Sequence, residues 1–298
     1  MLRHSCHEIV LIDKDDRRAA GVATDMRYGV PLAPGVIVRH GYYDDLDGAD
    51  VVLITAGVNE KSGGATNRKD TEGRLKLVEA NAAIYRDIIP QVVEAAPEAV
   101  LVAVTDPPDP LADLARQIAG HDRVLSTGTL LDSLRFRLHV AARLGVDPTA
   151  IDAQVVGEHG VSQVLLWSTA RIGGLAVRTA LAMRHGDENV ARICEQIEHD
   201  VRFANIAIIE GNNASQYGIG AVCARLTEAI LGDERVVLPV GSYNERYHVT
   251  LSVPTVVSKH GAYARFEPDM SGQERSRLRE SAATLRSAND RIGVVPVA

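Results

Sequence analysis

The sequence predicts an α/β fold in which a doubly wound parallel sheet is followed by an α+β half. Short apolar runs alternate with segments of helical periodicity through residues 1–127. Long helical stretches and one alternating hairpin occupy residues 128–298 instead. Strands that are apolar throughout are typical of a parallel sheet covered by helices on both faces. Two domains with these boundaries are therefore predicted.

The first half contains four apolar runs of strand length and two stretches with the spacing of a buried helix face. The predicted strands are residues 9–12, 36–38, 51–54 and 100–104, and the predicted helices are residues 19–26 and 75–93. A polar loop that contains glycine separates the third strand from the second helix.

The second half has a different pattern. Residues 181–210 are predicted to be largely helical. Residues 249–266 alternate and contain Lys259-His260-Gly261, which predicts an antiparallel hairpin. Ser271 and Glu274 form the capping box of a last helix. Its predicted buried face consists of Leu278, Ala282, Leu285 and Ile292.

Composition excludes several classes of protein. The 46% hydrophobic and 24% charged residues are typical of a soluble globular protein. The net charge of −7 and the lack of a basic run argue against nucleic acid as a partner. No apolar stretch has membrane-spanning length and no signal peptide is found at Met1, so no membrane partner is expected. Three scattered cysteines are typical of reduced thiols in the cytoplasm, and no metal site is predicted.

Gly157-Glu158-His159-Gly160 contains the histidine of greatest interest among ten. It follows a short predicted strand, Val155-Val156, and its glycines leave the imidazole accessible. Histidine moves protons near neutral pH because its ordinary pKa is about 6.5. Asp132 and Arg135 share one face of a predicted helix, where an aspartate can orient a histidine and an arginine can bind a carboxylate. An ordinary surface ion pair between these two residues is the alternative.

Leu131-Asp132-Ser133-Leu134-Arg135 followed by Gly157-Glu158-His159-Gly160 resembles the L-lactate/malate dehydrogenase family, and the similarity extends from Glu8 almost to the C-terminus. The resemblance implies a Rossmann-type first half and hydride transfer between NAD and a small L-2-hydroxy acid. It implies that His159 is the general acid/base, Asp132 its partner and Arg135 the group that binds the substrate carboxylate. A homodimer or homotetramer is also implied.

On the cofactor side, the resemblance places NAD selection at Asp13, because an acid at this strand end of a Rossmann fold binds the adenosine ribose hydroxyls. A carboxylate that merely faces water is the alternative. Thr55-Ala56-Gly57 resembles the loop that passes under the cofactor. Val104 and Asp106, at the end of the next strand, are further predicted cofactor contacts.

The glycine-rich turn that binds the pyrophosphate is not found. No Gly-x-Gly-x-x-Gly precedes Asp13, and Gly218-Ile219-Gly220 has Cys223 where the third glycine would stand. The resemblance implies a further strand, so we expect the strands at Val10 and Val52 to lack their shared neighbour. We expect the upstream reading frame to encode this strand and turn, and the 298-residue chain to bind NADH weakly. A degraded relative with a binding or structural role is the alternative.

Residues 59–74 resemble the loop that closes over the substrate. Counting back from Asn81 assigns Arg74 to the arginine that polarises the substrate carbonyl, with Arg68 as the competing candidate. Counting forward places Glu60 at the position that selects the substrate, where its charge would repel a second carboxylate. This register predicts L-lactate/pyruvate or a larger 2-oxo monocarboxylate. Counting back from Arg74 places Arg68 there instead and predicts a malate dehydrogenase.

Two further residues are assigned to the substrate by the resemblance. Ser215 matches a small hydroxyl residue of the lactate pocket. Asp106 stands where the family usually has an asparagine that donates a hydrogen bond to the substrate oxygen. An ionised carboxylate cannot donate, and it adds negative charge beside a 2-oxo acid. We therefore expect Asp106 to weaken or redirect activity.

Overall fold

The computed structural model describes residues 1, 3, 5–59, 61–63, 65–67 and 72–295. Among these residues the strands are β1 (Glu8–Leu11), β2 (Ile37–His40), β3 (Val51–Ile54), β4 (Val100–Ala103), β5 (Val124–Ser126), β6 (Ile151–Asp152), β7 (Val155–Val156), β8 (Val164–Leu165), β9 (Arg171–Ile172), β10 (Leu175–Ala176), β11 (Val236–Asn244), β12 (Val249–Ser258) and β13 (Gly261–Arg265). The helices are α1 (Asp16–Tyr28), α2 (Val78–Ala95), α3 (Pro108–Ala119), α4 (Leu130–Leu144), α5 (Val177–His185), α6 (Asp187–Arg202), α7 (Ala204–Asn212), α8 (Tyr217–Leu231) and α9 (Gly272–Arg291).

The main sheet has six strands in the order β13-β12-β11-β5-β4-β3. β3, β4 and β5 are parallel, whereas β11, β12 and β13 are antiparallel to their neighbours. β5 and β11 pair at Ser126 and Gly241, so one sheet extends from the first half of the chain into the second. The sequence analysis predicted the β12–β13 hairpin but not β11, which completes this sheet.

Both faces of the parallel strands are covered. Leu101 and Ala103 of β4 pack with residues of α2 and α3, whereas Val100 and Val102 pack with residues of α8. Successive side chains of a strand point to opposite faces, which explains why β4 is buried along its whole length. The predicted fold class, with helices on both faces of a parallel sheet, is confirmed.

β1 and β2 form a separate, two-stranded parallel sheet. Within the described part of the chain, β1 pairs only with β2, and β3 pairs only with β4. Ile12, which follows β1, packs against the apolar cluster that contains Ile54 of β3.

Residues 181–210 are largely helical, as predicted, but they are divided among several helices. Three helices, α5, α6 and α7, occupy this part of the chain. Gly186, with a φ of 87°, separates the first two, and Phe203 separates the second from the third. The predicted capping box of α9 is confirmed, since Ser271 Oγ accepts a hydrogen bond from Glu274 N and Glu274 Oε2 accepts one from Ser271 N. None of the helices in the described residues is both long and apolar enough to cross a membrane.

Candidate active site

Helix α4 presents Asp132 and Arg135 from its first two turns. The chain enters the helix through Gly128, whose φ is 51°; a Cβ there would lie 2.2 Å from Ser252 Oγ. Asp132 is 2% exposed, and its Oδ1 accepts a hydrogen bond of 3.0 Å from Arg135 Nη1. Asp132 is therefore buried and Arg135 partly buried in this ion pair, so the alternative of an ordinary surface pair is wrong.

His159 follows the short strand β7 and points towards α4. Its Nδ1 lies 2.5 Å from Asp132 Oδ2, and its Nε2 contacts the guanidinium of Arg74. Because a carboxylate only accepts and a guanidinium only donates, this geometry places the imidazole proton on Nδ1 and leaves Nε2 as an acceptor. Nε2 is thus the atom at which His159 can take up or release a proton.

Charge holds this group together. Burial disfavours ionisation of Asp132, but its interaction and hydrogen bond with His159 and the positive charges of Arg135 and Arg74 outweigh that effect and hold the pKa of Asp132 well below its usual range. Burial lowers the pKa of Arg135, while the charge of Asp132 opposes that effect. Asp132 is therefore an anion that can stabilise a protonated imidazole.

Arg74 reaches the histidine from the short 3-10 helix Gly73–Leu77. Its side chain is 8% exposed, and its Nη1 lies 3.4 Å from Asp106 Oδ1 as well as against His159 Nε2. Glu60 and Arg68, the two candidates for substrate selection, lie outside the described residues. Of the two candidate arginines, only Arg74 lies in the described residues, and its guanidinium contacts His159.

Asp106 lies beside both Arg74 and the histidine. Its Oδ1 is 3.7 Å from His159 Nε2, and its backbone carbonyl accepts a hydrogen bond from Asn81 Nδ2. Asn81 also accepts a hydrogen bond from Val58 N, so it ties the loop after β3 to the loop after β4. This role of Asn81 was not predicted from the sequence.

The predicted cofactor residues lie at the carboxyl ends of β1, β3 and β4. Asp13 is about a third exposed, its Oδ1 accepts a hydrogen bond from Asp15 N, and Arg18 is 3.8 Å away. Thr55, Ala56 and Gly57 are exposed, and Val104 is half-buried. A Cβ on Gly57 would lie 2.2 Å from Thr105 Cγ2, so this close approach of the two loops requires glycine.

These residues fit two parts of NAD. An accessible carboxylate suits the adenosine ribose hydroxyls, and the exposed loop beside Asp106 and His159 suits the nicotinamide end. In the part of the chain that the structure describes, no glycine-rich turn leads from a strand into a helix beside them. No residue is therefore assigned to the pyrophosphate.

Ser215 lies in the turn between α7 and α8 and is half-buried. The same turn contains Asn213, whose Oδ1 accepts a hydrogen bond of 2.6 Å from Lys61 Nζ. Gly218, at the start of α8, lies next to Leu131 of α4. Ser215 is thus close to the predicted substrate loop and to α4, but none of the hydrogen bonds described joins it to the catalytic group.

Comparison with known proteins gives the class. Residues 1–126 match the lactate/malate dehydrogenase NAD-binding domain, and residues 129–292 match the α/β C-terminal domain of the same family. The chain belongs to the lactate/malate dehydrogenase family, and NAD is the cofactor of its N-terminal domain.

Similar proteins within this family are lactate dehydrogenases. The L-lactate dehydrogenase of Deinococcus radiodurans is 42% identical over 294 residues, which cover 99% of this chain and 94% of that protein. The L-lactate dehydrogenase of Thermus aquaticus is 40% identical, with 98% and 94% covered. The crystal structure of a lactate dehydrogenase from a Medee basin deep-sea metagenome has a TM-score of 0.86 at 31% identity, covering 98% of this chain and 92% of that one. The predictions of family, of NAD and of a lactate-type dehydrogenase are confirmed.

Proposed function

We propose that the protein interconverts a 2-oxo acid and the L-2-hydroxy acid with NAD, and that pyruvate and L-lactate are its substrates. The observation that supports this most directly is the arrangement of His159 between the Asp132 carboxylate and the Arg74 guanidinium, with Arg135 beside it. One proton-transfer group, one orienting carboxylate and two cations are what reduction of a charged 2-oxo acid requires.

Each side chain has one task in the proposed reaction. Arg135 binds the substrate carboxylate, and Arg74 polarises the C2 carbonyl that is to be reduced. Bound NADH supplies the hydride that C2 receives. Protonated His159 donates the proton from Nε2 to the carbonyl oxygen, while ionised Asp132 accepts the hydrogen bond from Nδ1 and stabilises the imidazolium. The reverse sequence oxidises L-lactate, beginning from the neutral tautomer in which Nε2 accepts.

Asp106 stands where the family usually has an asparagine, and its carboxylate lies beside Arg74. A substrate oxygen has to replace the Asp106 carboxylate beside Arg74, because both anions compete for the same guanidinium. Asp106→Asn removes the competing charge and provides a donor, so we expect kcat/KM for pyruvate to rise. Asp45→Asn, which removes an equally negative but distant side chain, is the control. An unchanged kcat/KM in Asp106→Asn would show that Asp106 is no obstacle to turnover.

Substrate choice depends on which register of the 59–74 loop is correct. Glu60 at the selecting position favours pyruvate or a larger 2-oxo monocarboxylate, and Arg68 there favours oxaloacetate. Comparing kcat/KM for pyruvate, a branched 2-oxo monocarboxylate and oxaloacetate tests the proposal directly. A clear preference for oxaloacetate would mean a malate dehydrogenase. NADH binding without turnover of any of the three would instead favour the impaired relative.

The proposal also includes the domain boundaries, the location of the enzyme in the cell and the role of Ser215. Residues 1–127 form the cofactor domain and residues 128–298 the substrate domain of a cytoplasmic enzyme. Ser215 lines the substrate pocket when the loop closes.

We further propose a homodimer or homotetramer, in which a second copy covers the outer face of α4. Leu134 and Leu138 lie one turn apart on that face and are 43% and 55% exposed. Light scattering on Leu138→Glu measures the loss of mass that this arrangement predicts.

A further inference from the structure

The backbone from Val155 to His159 pairs with β8 and is also held by hydrogen bonds from five residues in four other parts of the chain. Thr129 and Ser133 of the α4 region bind the carbonyl and the N–H of Val155. The backbone of Ser252 in β12 pairs with Gly157. The next two backbone N–H groups donate to side chains: Glu158 N to Ser281 Oγ and His159 N to Asp109 Oδ2, each at 2.8 Å.

Asp109 is the only ionisable side chain among these anchors. It lies in the first turn of α3 and is completely buried. Its Oδ2 accepts from His159 N, and its Oδ1 accepts from Ser126 Oγ at 2.5 Å. Ser126 Oγ in turn accepts from Gly128 N at 3.1 Å. A Cβ on Gly241 would lie 2.4 Å from Asp109 Oδ1, so strand β11 leaves the carboxylate no room to move.

We propose that Asp109 is a positioning residue for proton transfer, which fixes His159 through its backbone N–H so that the ring meets Asp132 on one side and the substrate oxygen on the other. The proposal rests on the proposed role of His159 as the acid/base. Under this proposal, α3 of the cofactor half holds the imidazole in place through Asp109. The protonation state of the imidazole depends instead on α4, through Asp132. A displacement of about 1 Å in such a group can lower a rate by about 100-fold.

The charge of Asp109 acts on the same histidine. Burial raises the pKa of Asp109 to about 7, against hydrogen bonds from Ser126 and His159 N that lower it; Glu158 adds to the increase. The carboxylate of Asp109 lies at the backbone N–H of His159. The carboxylates of Asp132 and Asp106 and the guanidinium of Arg74 lie at its ring. Loss of the Asp109 charge should move the pH profile of pyruvate reduction to lower pH, because a protonated imidazole loses part of its stabilisation.

The same helix provides a matched control. Asp113, one turn further along α3, is also buried, and it accepts hydrogen bonds from Thr250 and from Asn289 Nδ2. It anchors β12 and α9 and makes no hydrogen bond to the histidine loop. A role in folding alone would make the two aspartates equivalent, whereas a positioning role separates them.

The experiment compares Asp109→Ala, Asp109→Asn and Asp113→Ala by steady-state kinetics and by the downfield proton resonance of the Nδ1–H bond between His159 and Asp132, assigned with His159→Asn. Asp109→Ala should lower kcat about 100-fold with little change in KM and should abolish the resonance. Asp109→Asn, whose amide can accept from His159 N and donate to Ser126, should keep most of kcat and the resonance and shift the pH profile. Asp113→Ala should lower thermal stability but keep both the kcat and the resonance.

An unchanged resonance in Asp109→Ala, or equal losses of kcat in the two alanine variants, would overturn the proposal. If Asp109→Ala does not fold, Ser126→Ala replaces it and should give a smaller fall in kcat with a broadened resonance; an unchanged resonance would count against the proposal. The resonance is measured without substrate, so a wild-type protein that shows it but turns over no 2-oxo acid refutes the proposed function and leaves the positioning result to be judged separately.

Discussion

The proposed catalytic side and the proposed cofactor side of the site differ in how deeply their residues are buried. His159, Asp132 and Arg74 are buried and Arg135 is partly buried, and each contacts another member of the group. Thr55, Ala56 and Gly57, by contrast, are exposed, and Asp13 is only partly covered, at the end of a two-stranded sheet.

The difference shows where preorganisation lies in this protein. The catalytic group is fixed by buried charges, whose hydrogen bonds are strong because the surroundings are poorly hydrated. The proposed cofactor residues are more exposed than this group. We therefore expect substitutions on the catalytic side to change chemistry and substrate binding, and substitutions on the cofactor side to change NADH affinity alone.

The largest effect should come from Arg135→Leu. It removes the group that binds the substrate carboxylate and leaves Asp132 buried without that partner, a loss of about 2–5 kcal/mol in kcat/KM. NADH affinity, measured by fluorescence titration, should stay the same. The control is Arg137→Leu on the same helix, whose side chain donates to the backbone carbonyl of Ala153. Similar kinetics for the two variants would show that Arg135 does not bind the substrate.

Asp13→Ala should have a smaller effect, which falls on NADH affinity and not on turnover. Loss of a charged acceptor for the ribose hydroxyls should weaken NADH binding by about 1.5 kcal/mol, or roughly tenfold, with kcat at saturating NADH unchanged. Asp25→Ala on the following helix removes the same charge at an exposed position and serves as the control. Equal affinities in calorimetric titrations of both variants would support the alternative that Asp13 simply faces water.

The smallest effect concerns stability and pH. Asp109 has a pKa of about 7 in the folded protein against an ordinary value of 3.8, so between these values the folded state holds a proton that the unfolded state has released. Stability from this group therefore falls as the pH rises through that range. Asp109→Asn cannot ionise, so its gain in Tm over the wild type should grow from about pH 5 to about pH 8. A gain that does not depend on pH, in thermal melts, would mean that Asp109 is already ionised at the lower pH.

Much of the fold could be predicted from the sequence because apolar periodicity marks strands and helices independently of their partners. β3, β4, α9 and the β12–β13 hairpin are of this kind. β11 was missed although it pairs locally with β12, because Pro239 and Gly241 lie inside it and both residue types are unusual in the interior of a strand. The breaks at Gly186 and Phe203 depend on how α5, α6 and α7 pack.

The site could be predicted to the extent that its residues lie in short family-like segments. The stretch around Asp132 and the one around His159 suggested a pair, and the structure brings the two side chains together. Asp109 gave no such signal. An aspartate in the first turn of a helix is usually there to interact with the helix dipole, and only the fold brings it to the His159 backbone. The same holds for Asn81, which bridges two loops.

The most direct test of the account is turnover of pyruvate by the wild-type protein and by His159→Asn, followed as NADH oxidation with chiral analysis of the product. We expect the wild type to form L-lactate in a one-to-one ratio with the NADH consumed. His159→Asn should retain NADH binding and lose on the order of 100-fold or more in kcat, since the proton donor is gone. Near wild-type reduction of pyruvate by His159→Asn would contradict the central claim that this histidine transfers the proton.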